Sequence, residues 1–354
     1  MRRQLLSLIV AGLTIATAHA QTNLRFANTL SATDTHNIAA QHMAELLKTK
    51  TGGKLTMSVH PAGELGNDGA ILEGVRLGTI DIGLTGNPFF TQFAPRLNAM
   101  DLPFLFRDLN HAHKVMDSNI GSELLSDLEK NRMKGLAFWE IGFRQITNSK
   151  KPIVVPDDLK GIKIRTTPNK AHIEAFKIWG ANPTPMAFTE LYLALKTGTV
   201  DAQENPVNNI YANRMFEVQK YLSFTNHAYT ASIAAMNLNR FNGLPAEHRK
   251  ALLESALEAA RFQRDLNAKQ EGENLAKIKA AGVQVNEKAD SPAFRKAAYD
   301  AVTKTYTDAH GLDIVNRILA TKCVRQSLAL KCLASLPRRV TISYLICVDE
   351  SSPT

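Results

Sequence analysis

Between Leu24 and Thr85 the spacing of apolar residues switches period four times, and that alternation limits the fold more than any other feature. Leu24-Arg25-Phe26-Ala27 reads as a short strand, Ile38 to Leu47 repeats at helical spacing, and Gly52-Gly53 is a stop signal. Leu55 to His60 alternates as a second strand, Ala70 to Leu77 as a second helix, and Ile80 to Thr85 as a third strand. Strand, helix, strand, helix, strand implies parallel pairing through right-handed crossovers, and so an open α/β sheet. Ligands of such sheets bind outside the carboxyl ends of the strands. The turns at Asn28-Thr29, Glu64-Leu65-Gly66 and Gly86-Asn87 are therefore expected at the edge of a cleft.

A second α/β unit follows. Gly135 to Glu140 is a strand candidate, Ile162 to Arg165 another, and helices are expected over Lys170 to Trp179 and Thr189 to Lys196. Ile233 to Leu238 reads as a strand returning to the first unit. After Pro245 an Ala-, Glu- and Lys-rich helix is expected to about Ala281; Pro245 suits a first turn and Gly282 a left-handed cap. Ser291-Pro292 opens a final helix. A chain of 354 residues exceeds one compact domain, and several crossings make a hinge rather than a tether, which favours a clamshell that buries its ligand on closing. The expected division is 21–141 with about 231–270 in lobe I, and 142–230 with about 271–320 in lobe II.

Arg165 ends the run Gly161-Ile162-Lys163-Ile164-Arg165, and the polar turn Asp201-Ala202-Gln203-Glu204-Asn205-Pro206 comes some forty residues later. An arginine fork donates two parallel bonds to one carboxylate and stays charged, whereas lysine is a mobile point charge. The structural alternative is an ion pair between Arg165 and Asp157, Asp158 or Glu204. Two further runs flank this one: Gly142-Phe143-Arg144-Gln145-Ile146-Thr147-Asn148-Ser149, and Asn182-Pro183-Thr184-Pro185-Met186-Ala187-Phe188-Thr189-Glu190-Leu191-Tyr192. With Gly63-Glu64-Leu65-Gly66 they resemble the solute-binding subunit of tripartite ATP-independent periplasmic (TRAP) transporters, the DctP family. The resemblance covers roughly residues 22 to 320 and is most specific from Gly142 to Pro206.

The resemblance implies an α/β, two-lobed periplasmic binding protein clamshell, type II-like, with one long helix spanning both lobes. It makes Arg165 the main carboxylate ligand and lays Phe188 against the ligand. Arg144 is a second candidate, either touching the ligand or tuning the pocket. Asn205 either donates its amide to the same carboxylate or fixes Pro206 in the turn. Sialic-acid-binding members carry an acidic and a basic residue where this chain has Gly86, Asn87, Pro88 and Phe89. A smaller acid is therefore favoured: a four-carbon dicarboxylate, a hydroxy acid or a sugar acid, with Asn87 and Asn209 as readers of hydroxyls. The implied partner is an integral membrane TRAP permease driven by an ion gradient, the binding protein itself acting as a monomer. The rival readings are an exported carboxylate-acting enzyme and a ligand-sensing receptor module.

Motifs for catalysis are missing. No Gly-x-Ser-x-Gly elbow, phosphate loop or His-Glu-x-x-His zinc motif is present, so no cofactor, metal or catalytic residue is expected. His111 and His113 stand two apart in an expected helix, where side chains diverge. The first twenty residues read as a secretory signal peptide: Arg2 and Arg3, the apolar run Leu5 to Ala18, then Ala18-His19-Ala20 before Gln21. The expected location is the periplasm. The formal charge of +9 falls to about +4 once Arg2, Arg3 and the tail's excess of three positive charges are set aside, and no basic stripe remains for a nucleic acid. Cys323, Cys332 and Cys347 all fall in residues 321–354, an atypical tail that reads as an out-of-frame extension. Three is an odd count, so no self-contained disulfide framework follows.

Overall fold

The computed structural model describes residues 21–322. The expected leader at 1–20 and residues 323–354 with the three cysteines lie outside them. Residues 21–321 belong to one compact unit.

Eleven strands occur among the described residues: β1 (Thr22–Ala27), β2 (Leu55–His60), β3 (Ile82–Gly86), β4 (Met133–Phe143), β5 (Gln145–Asn148), β6 (Lys163–Thr166), β7 (Asn182–Pro185), β8 (Ala202–Asn205), β9 (Tyr221–Ser223), β10 (Tyr229–Asn237) and β11 (Gln284–Asn286). They form two sheets, ordered β2-β1-β3-β10-β4 and β11-β9-β5-β8-β6-β7. β1 runs parallel to β2 and β3, as the alternation of periods requires. The connecting helices start and stop on local chemistry. Asp34 caps the helix Thr35–Lys50 by accepting from the His36 N–H, and Asn67 caps Asp68–Leu77 by accepting from Ala70.

β10 is the returning strand. It starts four residues earlier than the apolar run Ile233 to Leu238 suggests and lies antiparallel between β3 and β4, buried along its whole length. β4 is also longer than expected and carries an extra residue: Thr230 pairs with Gly142 and Ala231 with Glu140, leaving Ile141 unpaired. This bulge aims Ile141 away from the ladder, and Gly142 takes a φ of 118°, a value open to glycine, as the strand bends.

The chain leaves the first sheet at Arg144, since β4 ends at Phe143 and β5 of the second sheet begins at Gln145. It returns between β9 and β10. The two crossings are bonded together, the Arg144 N–H donating to the Ala228 carbonyl at 2.8 Å. A third link is the helix Ala246–Ala280, 35 residues and about 52 Å long. Its Ala251, Leu252, Ala256, Ala259 and Ala260 pack in the core of the first sheet, while Ile278 packs with Leu191, Leu195 and Leu222 of the second. Alanine at the first contact lets this helix approach Thr35–Lys50 closely. The family-implied helix across both halves is thus present.

One expectation needs correcting. Ser291–His310 is not the final helix, because Gly311 breaks it at a φ of 78° and Asp313–Ala320 follows. That last helix turns back to the first half, where Arg317 pairs with Glu123 and the Ile318 carbonyl meets His111 Nε2.

Candidate functional site

A cavity opens between the two sheets. Arg165, Thr167, Phe188, Asn205 and Asn209 line one side, with Arg144 at the crossing. The opposite side is built from the carboxyl ends of β1 and β3, the helix start at Asp68, the bulge and the amino end of β10: Thr29, Asp68, Thr85, Ile141, Thr230 and Ser232. The expectation that strand ends form the cleft edge holds for Thr29 and Gly86; at the second turn it is Asp68, at the start of the next helix, that reaches the cavity.

Arg165 leaves β6 nearly at its end and is 1 % exposed. Its Nε and Nη2 donate side-on to the Met186 carbonyl at 3.1 and 2.8 Å, so the backbone after β7 fixes the plane of the guanidinium. The end-on face, Nη1 with the second Nη2 hydrogen, has no protein partner among the described residues. None of the three carboxylates named as structural alternatives meets it: Asp157 pairs with Lys160, Asp158 with Lys151 and Glu204 with Arg144. The Phe188 ring packs 5.9 Å from the guanidinium carbon, within cation–π range. Burial pulls the Arg165 pKa down to about 10, with Glu204 opposing and Arg144 adding to the fall, so the group stays cationic at neutral pH. A buried cation without a counterion is costly, and an anionic ligand relieves that cost.

Arg144 is differently employed. Its Nε and Nη2 clasp the Glu204 carboxylate, and Nη2 also reaches the Glu204 carbonyl and Asn205 Oδ1. Glu204 is fully buried and also accepts from His227 Nε2 at 3.2 Å. Burial alone pushes this carboxyl up, but the Arg144 charge and the bonds from His227 and Arg144 hold it below the ordinary carboxylate range. Burial drives His172, which lies behind the site, down to about 3, so it is neutral.

The remaining expected residues divide. Asn205 lines the cavity, but its Nδ2 donates to Gln203 Oε1 at 2.7 Å, so in this state the amide is engaged within the protein. Asn209 also lines it and donates to Asp34 Oδ2 at 3.1 Å. Asn87 is not brought to the cavity: it is fully buried, its Nδ2 bonded to the Leu97 carbonyl and Asp101 Oδ2. Its place after β3 was legible and its direction was not. His111 and His113 diverge as expected, and no cluster of metal-ligating side chains occurs among the described residues.

Sequence reasoning passed over Asp68 and Ser232. Asp68 is 2 % exposed and accepts from the hydroxyls of Thr29 and Thr85 and from the Phe188 N–H across the cavity. Ser232 Oγ lies 3.0 Å from His36 Nε2, and His36 Nδ1 lies 2.8 Å from Asp34 Oδ1. A polar first helical residue at a strand's carboxyl end was the available signal for Asp68; nothing in the apolar run around Ser232 distinguished it.

The model of the bacterial extracellular solute-binding protein family 7, DctP, matches residues 26–309. The chain belongs to the DctP family. Its relatives include the 2,3-diketo-L-gulonate-binding periplasmic protein YiaO of Escherichia coli, 42% identical over 88% of this chain and 96% of that one. Among solved structures it resembles a TRAP periplasmic solute-binding protein from Polaromonas sp. JS666 bound to D-erythronate, at 35% identity and a TM-score of 0.83 over 86% of this chain and all of that one. A second, from Roseobacter denitrificans with bound β-D-glucuronate, is 36% identical with a TM-score of 0.82, over 85% of this chain and all of that one. The DctP-family fold accounts for the two sheets, the helix that crosses them and the cavity between. No helix among the described residues is long and apolar enough to cross a membrane.

Proposed function

We propose that this DctP-family chain is a periplasmic solute-binding protein that captures a small organic acid between its two halves and delivers it to a TRAP-type membrane permease. The observation that carries the reading is the free end-on face of a buried, immobilised Arg165 in the cavity between the sheets. Arg165 holds the carboxylate, Phe188 covers it, Arg144 sets the field through Glu204, and Asn205 and Asn209 complete the wall. Sugar and hydroxy acids on related proteins support the same class of ligand. Residues 1–20 act as a cleaved signal peptide, the halves divide as 21–141 with about 231–270 and the last helix Asp313–Ala320, and 142–230 with about 271–312, and the protein works as a monomer.

The test is calorimetric titration after a thermal-shift screen of organic and sugar acids. Micromolar binding corresponds to roughly 8 kcal/mol, and loss of a buried charged partner removes roughly 2 to 5 of that. Arg165→Ala is expected to weaken binding by that amount and Arg144→Lys by much less; unchanged affinity in Arg165→Ala rejects the assignment. Ser232, His36 and Asp34 follow the bonding order of a serine hydrolase relay. The titrated acid is therefore recovered and weighed by mass spectrometry: intact acid supports a carrier, and converted acid supports an enzyme.

A further inference from the structure

Resting on the carboxylate reading above, the wall that faces the arginines limits what the other end of the ligand can be. Asp68, Arg144 and Arg165 are the charged residues that line the cavity, so the far wall holds an anion and no cation. The two hydroxyls beside Asp68 are also spoken for. Thr29 and Thr85 both give their protons to Asp68 Oδ1, and Asp68 Oδ2 accepts a single bond, from Phe188 N at 3.2 Å. An ionised carboxylate has about four acceptor positions, so one remains on Oδ2.

His36 Nε2 holds Ser232 Oγ at 3.0 Å and His36 Nδ1 meets Asp34 Oδ1 at 2.8 Å, so the serine hydroxyl is engaged within the protein. Thr230 Oγ1 is buried beside it with no protein partner. The open position on Asp68 Oδ2 takes a hydrogen bond, and the unpartnered Thr230 hydroxyl can pair with an alcohol. A second carboxylate has no protons to give and would meet Asp68 with like charge; alcohol groups fit both demands.

We propose that the ligand is a monocarboxylic polyhydroxy acid, gripped at its carboxylate by Arg165 and at its hydroxyls by Asp68, and that Asp68 excludes dicarboxylates of the same length. A site built to bond a hydroxyl rejects an analogue lacking it far more strongly than an apolar pocket rejects a change of one methylene.

Erythronate and succinate make a matched four-carbon pair for calorimetry on wild type, Asp68→Asn and Thr230→Val. Wild type is expected to prefer erythronate by about 100-fold or more. Asp68→Asn, nearly the same size, should shrink that preference at least tenfold by losing erythronate affinity while tolerating succinate better. Thr230→Val, which carries no change of charge and serves if Asp68→Asn does not fold, should lower erythronate affinity and leave succinate unchanged. Equal affinity of wild type for both acids overturns the proposal, as does an equal loss for both in Asp68→Asn, which marks a purely structural contact. Those outcomes leave the carboxylate grip standing. Erythronate binding that survives Arg165→Ala intact overturns the grip and this inference with it.

Discussion

Glu204 is the counterion on which the electrostatics of the cavity depend. It is fully buried, and it neutralises Arg144 so that Arg165 alone faces the ligand with an unmatched charge. Glu204→Gln keeps the shape and removes the charge, leaving Arg144 buried and uncompensated, a change that typically costs about 3–5 kcal/mol. Because the folded carboxyl is held below its ordinary 4.5, its stabilisation is present above that pH and fades as pH falls beneath it. Urea unfolding should show the full gap between wild type and variant at pH 7 and a narrowing gap below about pH 4.5; a gap that stays constant into acid contradicts the assignment. At this scale Arg144, Arg165, Phe188, Asn205 and Asn209, named from the sequence, all line the cavity: Arg165 and Asn205 leave strand ends, Arg144 follows one, and Phe188 and Asn209 sit in the first turns of helices. Asn87 was misplaced because direction at a turn depends on neighbours such as Asp101, fourteen residues away.

The long helix and the bulged strand it crosses form one mechanical element. At the bulge the Glu140 N–H and carbonyl lose their place in the ladder, and Gln263 replaces both bonds: Oε1 accepts from the N–H at 3.0 Å, and Nε2 donates to the carbonyl at 2.8 Å. Asn267 Nδ2 also donates to the carbonyl, at 3.2 Å, so the N–H is the group left unpaired without Gln263, at a cost of about 1–3 kcal/mol. Gln263→Ala is therefore expected to lower the unfolding free energy by that amount and to disturb Ile141 at the cavity wall, read together as a lower thermal midpoint and weaker ligand binding. A midpoint equal to wild type would show that water replaces the side chain. Helix and strand existence was legible from periodicity throughout the first sheet. The bulge was not, since an extra residue is defined only against the strand opposite, and β10 was underestimated because Thr230 and Ser232 interrupt its apolar run.

Across the whole molecule the halves are joined by the two bonded crossings and the long helix, and they also meet at a buried acid. Asp101 of the first half accepts from Asn87 and, at 3.0 Å, from Asn169, which caps the helix Lys170–Ile178 of the second. Burial raises the Asp101 pKa to about 8, against the pull of the Asn87 bond and the Arg144 charge. The folded state therefore holds a proton that the unfolded chain releases near pH 4. This contribution is full below that point and declines as pH rises toward 8, by about 1.4 kcal/mol per unit of pKa difference. Asp101→Asn, which mimics the protonated acid, should overtake wild type in thermal midpoint as pH climbs from 5 to 8. Parallel midpoints across that range would sink the idea. The residue that carries one crossing, Arg144, also stands in the cavity wall. Pivot and sensor are thus a single amino acid, so any swing of the halves is felt at once by whatever lies inside, and cargo becomes visible from outside as a change of silhouette.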